Sequence, residues 1–274
     1  MNEPTLDPEP ARPGMKAFWS EHYRELEHTG WGVQFFARTL APAVRGKRVL
    51  DLGCGAGDLS ILLAQAGATV TGVDFVPELL AIAESRAAAS GSIRPRFVEQ
   101  DLLQLDLGEQ YDCICGVAIL HEIPAASYPA LLDGLKRHLR PGGFCLFQEN
   151  SFFNPVYRIL RRRVVGRAGL AKVGSANETP FDQQRWDLVQ SQFQYAARTC
   201  DVFVLFDRIW YQFIHDRVRR VSPKAAAACG EVFASMDKFV SARIGHSRGT
   251  LYWSWLQSIY FSDSVPREAV LPNE

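Results

Sequence analysis

In the first 150 residues, acids and one histidine close a series of short apolar runs. The run VLDLGCGAGDLS (residues 49–60) joins Asp51 to glycines at 53, 55 and 57. A strand that feeds a helix through glycines lets the backbone pass close to a ligand, because a Cβ at Gly53, Gly55 or Gly57 would fill that space. The dinucleotide fingerprint G-x-G-x-x-G fails in both registers: its last position falls on Asp58 counted from Gly53 and on Ser60 counted from Gly55. An acid facing a pyrophosphate at a helix N-terminus repels it. Asp51 suits a cation, ammonium or sulfonium, and Asp74 closes the next apolar run, where a carboxylate accepts both hydroxyls of a ribose. A nucleoside carrying a positive charge and no phosphate fits these groups.

His121 follows a later apolar run in AILHEIP, and Glu149 with Asn150 ends GFCLFQEN. A neutral imidazole at His121 would act as a general base on a hydroxyl, amine or carbon acid, with Glu149 as the second candidate. The competing role for His121 is to order its loop or bind substrate. Glu122 is expected to be a solvated loop acid. Metal chemistry has little support: the histidines never pair as HxxxH, and no acid cluster has the spacing of a divalent site.

The elements that would carry these groups alternate. Residues 47–52, 69–74, 94–99, 111–117 and 143–149 are β-prone, and residues 59–66, 77–89 and 127–139 read as helices. Helical crossovers return parallel strands, so this order predicts a parallel sheet covered on both faces, with ligands at its carboxyl edge. After Asn150 a basic insert (residues 151–174) and a helix (181–198) precede two β-prone runs, 201–213 and 250–261, separated by a helix at 223–244. The two runs are expected to pair as an antiparallel unit on the parallel sheet. The predicted fold class is α/β: a Rossmann-like, doubly wound sheet of about seven strands, mostly parallel with an antiparallel last strand, plus a helical cap. Residues 1–14, proline-rich and polar, read as a disordered lead-in; 15–46 as a helical lid; 47–150 as the core; 151–274 as substrate-cap insertions and the last two strands.

Composition narrows the function classes. A chain of 274 residues that is 47% hydrophobic can bury one large core, and thirty basic against thirty acidic side chains give no net field to recruit nucleic acid or a membrane. The cysteines (54, 113, 115, 145, 200, 229) form no CxxC pair, which reads as reduced and cytoplasmic. The N-terminus lacks the basic and apolar regions of a secretory signal, and no apolar run is long enough to span a bilayer.

VLDLGCGAGDLS, TGVDFVPELL, EQDLLQL, YDCICGVAILHEIP and LRPGGFCLF stand in the order and spacing of class I S-adenosylmethionine-dependent methyltransferases, which residues 47–150 resemble. The resemblance implies that Asp51, Gly53 and Gly55 line the methionine half of the cofactor. Asp74 would hold the ribose with Phe75 beside the adenine, Asp101 would accept from the adenine amino group with Leu102 beside it, and Val117 would approach through its backbone. The alternative for Asp101 is an N-cap before Leu102. Tyr23 resembles the tyrosine that some relatives place on the cofactor carboxylate. The turn at residues 140–143 looks structural.

The acceptor pocket would come from outside the motifs. Trp19 and Trp31 lie in the N-terminal lid, with anchoring to the core as their other reading. Arg158, Arg161 and Arg162 share one helical face in the insert, which either clamps an anion or is solvated. The implied activity is methyl transfer to a small aromatic or apolar metabolite, at oxygen on base rates. Its alternatives are C-methylation of an isoprenoid diphosphate clamped by the arginines and cofactor binding without catalysis. Oligomeric state stays open between monomer and homo-oligomer.

Overall fold

The computed structural model describes residues 31–91, 95–150, 159, 181–199, 205–210, 214–244 and 256–264. Its strands are β1 (Arg48–Leu52), β2 (Thr69–Asp74), β3 (Arg96–Glu99), β4 (Tyr111–Val117), β5 (Leu139–Asn150), β6 (Tyr195–Thr199) and β7 (Leu256–Ser262). They form one sheet in the order β3-β2-β1-β4-β5-β7-β6. β3, β2, β1, β4 and β5 are mutually parallel, whereas β7 runs antiparallel to both β5 and β6. This is the predicted Rossmann-like architecture with one antiparallel strand.

The helices are α1 (Trp31–Val44), α2 (Asp58–Gln65), α3 (Pro77–Ala89), α4 (Tyr128–His138), α5 (Gln183–Gln192), α6 (Phe206–Ile209), α7 (His215–Val221) and α8 (Pro223–Ile244). β1 is buried from Val49 onwards rather than in alternation, as a strand covered on both faces must be. On one face Leu50, Ile114, Phe147, Ile259 and Phe261 pack with Leu131 and Leu135 of α4 and Trp186 and Val189 of α5. On the other, Val49, Cys113, Leu146 and Tyr260 pack with Phe36 and Leu40 of α1 and Leu59 and Leu63 of α2. Residues 31–44 of the expected lid are therefore a core helix. Pro77 at the first turn of α3 loses no helical hydrogen bond there.

Three expectations for the second half change. The helix expected at 181–198 stops at Gln192. Asp182 caps its start by accepting from the Arg185 amide at 3.1 Å, and Phe193 then turns into β6, its ring 4.6 Å from that of Phe261. Within the β-prone run 201–213, the described residues 205–210 are helical. Asp237 of α8 reaches across and accepts from the amides of Leu205 and Phe206, both at 3.0 Å, while Trp210 is buried against Phe233. A tertiary cap and an aromatic stack thus override strand propensity. The partner of β7 on its outer side is consequently β6. Finally, residues 140–143 are a bulge inside β5 and not a turn before it, because the register with β4 jumps from Tyr111↔Leu139 to Cys113↔Phe144.

The register fixes which strand ends share an edge. Asn150 pairs with Leu256 and Thr199 lies across from Ser258, so the end of β5, the end of β6 and the start of β7 all lie at the carboxyl edge of the parallel strands. That edge also carries Asp51, Asp74, Val117 and Glu149.

Candidate active site

β1 delivers Asp51 and then the glycine turn. Gly53, Gly55 and Gly57 all have positive φ, +64°, +51° and +81°, a region that a side chain penalises. The space they keep open is filled by the chain itself at two of the three. A Cβ on Gly53 would come within 2.5 Å of the Ile119 Cδ1, and one on Gly57 within 2.9 Å of the Ala83 Cβ. The expectation that these two glycines clear room for a ligand is corrected accordingly: they let the turn close against the loop after β4 and against α3.

Asp51 is buried and accepts from the Ser60 hydroxyl at 2.6 Å. Burial raises its pKa to about 7, against the pull of that hydroxyl and with a smaller push from Asp74. Asp74 accepts from the amides of Gly55 (2.9 Å) and Val76 (3.0 Å), one on each carboxylate oxygen, and burial raises its pKa too. Each oxygen has a second acceptor site. Phe75 is half-buried beside it. Asp101 caps a short 3-10 turn, accepting from the Leu103 amide at 2.9 Å, with Leu102 buried.

After Val117, half-buried at the end of β4, the backbone enters the left-handed region at Ala118 (φ +56°). Glu149 of β5, with no exposed surface, meets this loop. Its Oε1 accepts from the amides of Ile119 (2.8 Å) and Leu120 (2.6 Å), and its Oε2 lies 2.7 Å from His121 Nδ1. His121 Nε2 stands 3.4 Å from Glu122 Oε1. Burial by itself would lower the histidine pKa, but the Glu149 charge, with Glu122 adding to it, raises it to about 10. The two carboxylates thus favour the imidazolium over the neutral imidazole that a general base requires. Glu122 is buried, not solvated.

Several residues here were invisible to motif reading. The Tyr128 hydroxyl donates to Leu120 O at 2.7 Å, and buried Arg185 donates to Ile123 O at 3.3 Å with its guanidinium over the Tyr128 ring. Gln257 lies opposite Glu149 in the β5–β7 register, is buried, and donates to Asn150 O at 3.4 Å. Its Oε1 and the Asn150 Oδ1 are both buried without a hydrogen-bond partner. An aromatic at 128 and an arginine at 185 carry no spacing signal, since their partners are set by tertiary packing. Tyr23, Trp19, Arg158, Arg161 and Arg162 lie outside the described residues, and Trp31 opens α1. Among the described residues no group of three or more His, Cys, Asp or Glu is placed to hold a metal.

With this geometry in place, known proteins give the same answer. The sequence profile of a family described as "Methyltransferase domain" matches residues 49–143. Residues 49–143 are thus similar to a methyltransferase domain. Around it the fold agrees: magnesium protoporphyrin IX methyltransferase from Synechocystis PCC 6803, solved with bound S-adenosylhomocysteine, superposes with a TM-score of 0.55 at 22% identity, over 68% of this chain and 90% of that one. The chain is also 36% identical over 106 residues to the ubiquinone biosynthesis O-methyltransferase of Pseudomonas entomophila, covering 38% of this chain and 45% of that protein. The corresponding protein of Bordetella avium is 36% identical over 109 residues, 39% of this chain and 44% of its own. The chain thus spans less than half the length of these curated relatives.

Proposed function

We propose that the chain is an S-adenosylmethionine-dependent methyltransferase acting on a small aromatic or apolar metabolite. The observation that carries this reading is the pair of buried acids, Asp51 and Asp74, at the ends of adjacent parallel strands on either side of the glycine turn. Two carboxylates there favour a cationic nucleoside and disfavour phosphate. The structural neighbour's cofactor product and the relatives' methyltransferase names support the same ligand.

Asp74 would hold the ribose through its remaining acceptor sites, beside Phe75. Asp51, Gly53 and Gly55 would line the methionine half, Val117 would meet it through its backbone, and Asp101 with Leu102 would border the adenine. When bound, the cofactor supplies an electrophilic methyl group on a sulfonium for in-line displacement. His121 and Glu149 were the candidate bases, and their mutual pairing, with the carboxylate accepting from three donors and the histidine pKa raised, disfavours that role. An acceptor that presents a lone pair or ionises without them fits this arrangement best. Asn150, at the carboxyl edge, would contact the acceptor, together with Trp19, Trp31, Arg158 and Arg161 from the flanking segments. An oxygen acceptor is favoured by the relatives' names, and a cytoplasmic location follows from the same reading.

The test is transfer of a labelled methyl group from S-adenosylmethionine to a panel of phenols and amines, read by mass spectrometry. Methylated acceptor and S-adenosylhomocysteine should form in equal amounts, and Asp74→Ala should abolish both. Label in no acceptor, from folded protein, would remove the catalytic reading.

A further inference from the structure

We infer that Glu149 is a positioning residue whose buried carboxylate latches the loop after β4 onto the glycine turn. The inference builds on the cofactor reading above and assigns the His121–Glu149 pair a different task from proton transfer.

Glu149 sits on an interior strand of the sheet, paired with β4 on one side and β7 on the other, and has no exposed surface. Its carboxylate collects donors from three consecutive residues: the amides of Ile119 and Leu120 on one oxygen and the His121 ring on the other. The loop so held begins at Ala118 in a left-handed conformation, which persists only where the surroundings over-determine it. The loop's second residue, Ile119, lays its Cδ1 against Gly53, the first glycine of the turn. One carboxylate therefore fixes the residue that covers the turn, while Val117 and Ala118 before it are held by the backbone of Gln148 in β5.

A carboxylate suits this task better than its amide. Glutamine offers one acceptor oxygen, enough for the two amides, but its NH2 would confront the donor on Nδ1. His121 completes the latch because its other ring nitrogen stands 3.4 Å from Glu122 Oε1, so that a carboxylate lies near each ring nitrogen. Its proton is structural. The raised histidine pKa agrees with this arrangement.

Two substitutions separate the parts of the latch. In the wild type, NMR should show the His121 ring still protonated at pH 8 and the Ile119 and Leu120 amides protected from exchange. Glu149→Gln should keep both amides protected and release the proton, so that the ring titrates below pH 8. Glu149→Ala should accelerate exchange at Ile119 and Leu120 by about a hundredfold and weaken S-adenosylhomocysteine binding by about tenfold, read by calorimetry. A ring that stays protonated at pH 8 in Glu149→Gln overturns the latch, and so does wild-type exchange or wild-type affinity in Glu149→Ala. If Glu149→Ala does not fold, Glu149→Gln decides alone. Wild-type protein that protects both amides yet fails to bind S-adenosylhomocysteine would remove the cofactor reading and leave the latch standing.

Discussion

Asp51 is the side chain whose charge state a bound cation would change most. Burial holds its pKa at about 7, so near neutrality a large fraction carries a proton. A sulfonium or ammonium beside it favours the carboxylate and expels that proton. Titrating the protein with S-adenosylmethionine at pH 6.5, in two buffers of different ionisation enthalpy, should therefore reveal proton release that Asp51→Asn abolishes. Equal heats in both buffers for the wild type would separate Asp51 from the ligand. The identity of Asp51 and Asp74 was legible in the sequence because both sit at fixed offsets from a glycine turn or a strand end. The state of His121 was not, because its dominant partner lies 28 residues away on another strand and only the fold brings the two together.

At the scale of elements, alternation of β-prone and helical runs was enough to foresee the first five strands and the crossovers between them. It failed where local propensity and tertiary contact disagree. Residues 205–210 have the composition of a strand, yet Asp237 supplies acceptors for two of their amides and Trp210 finds Phe233 to stack on. Replacing Asp237 with Ala leaves two helix-start amides without that acceptor and should cost about 1–2 kcal/mol. Thermal unfolding checks this: an unchanged melting temperature would mean that the α6–α8 excursion does not depend on the cap. β6 escaped notice for a related reason. The run YAART has weak alternation, and the strand exists because β7 offers it an edge. The glycines at 53 and 57 were legible as necessary but misread in purpose, since their neighbours Ile119 and Ala83 come from distant segments.

For the molecule as a whole, the candidate site gathers at the carboxyl edge of a buried parallel sheet. That arrangement concentrates buried ionisable groups, and folding stability inherits their titration. The folded pKa of His121, about 10, lies above its ordinary 6.5, so its contribution is fully present below pH 6.5 and is lost as pH rises towards 10. The stability difference between the wild type and His121→Gln, from denaturant melts, should accordingly shrink between pH 6.5 and 10. A difference constant over that range would show that the imidazolium contributes nothing. The central claim remains that Asp74 and the glycine turn hold an adenosyl sulfonium. It is tested most directly by calorimetric titration of the wild type and Asp74→Ala with S-adenosylmethionine. Saturable binding that the substitution weakens more than tenfold, about 1.4 kcal/mol, is the predicted result; equal affinity in the two proteins would contradict it.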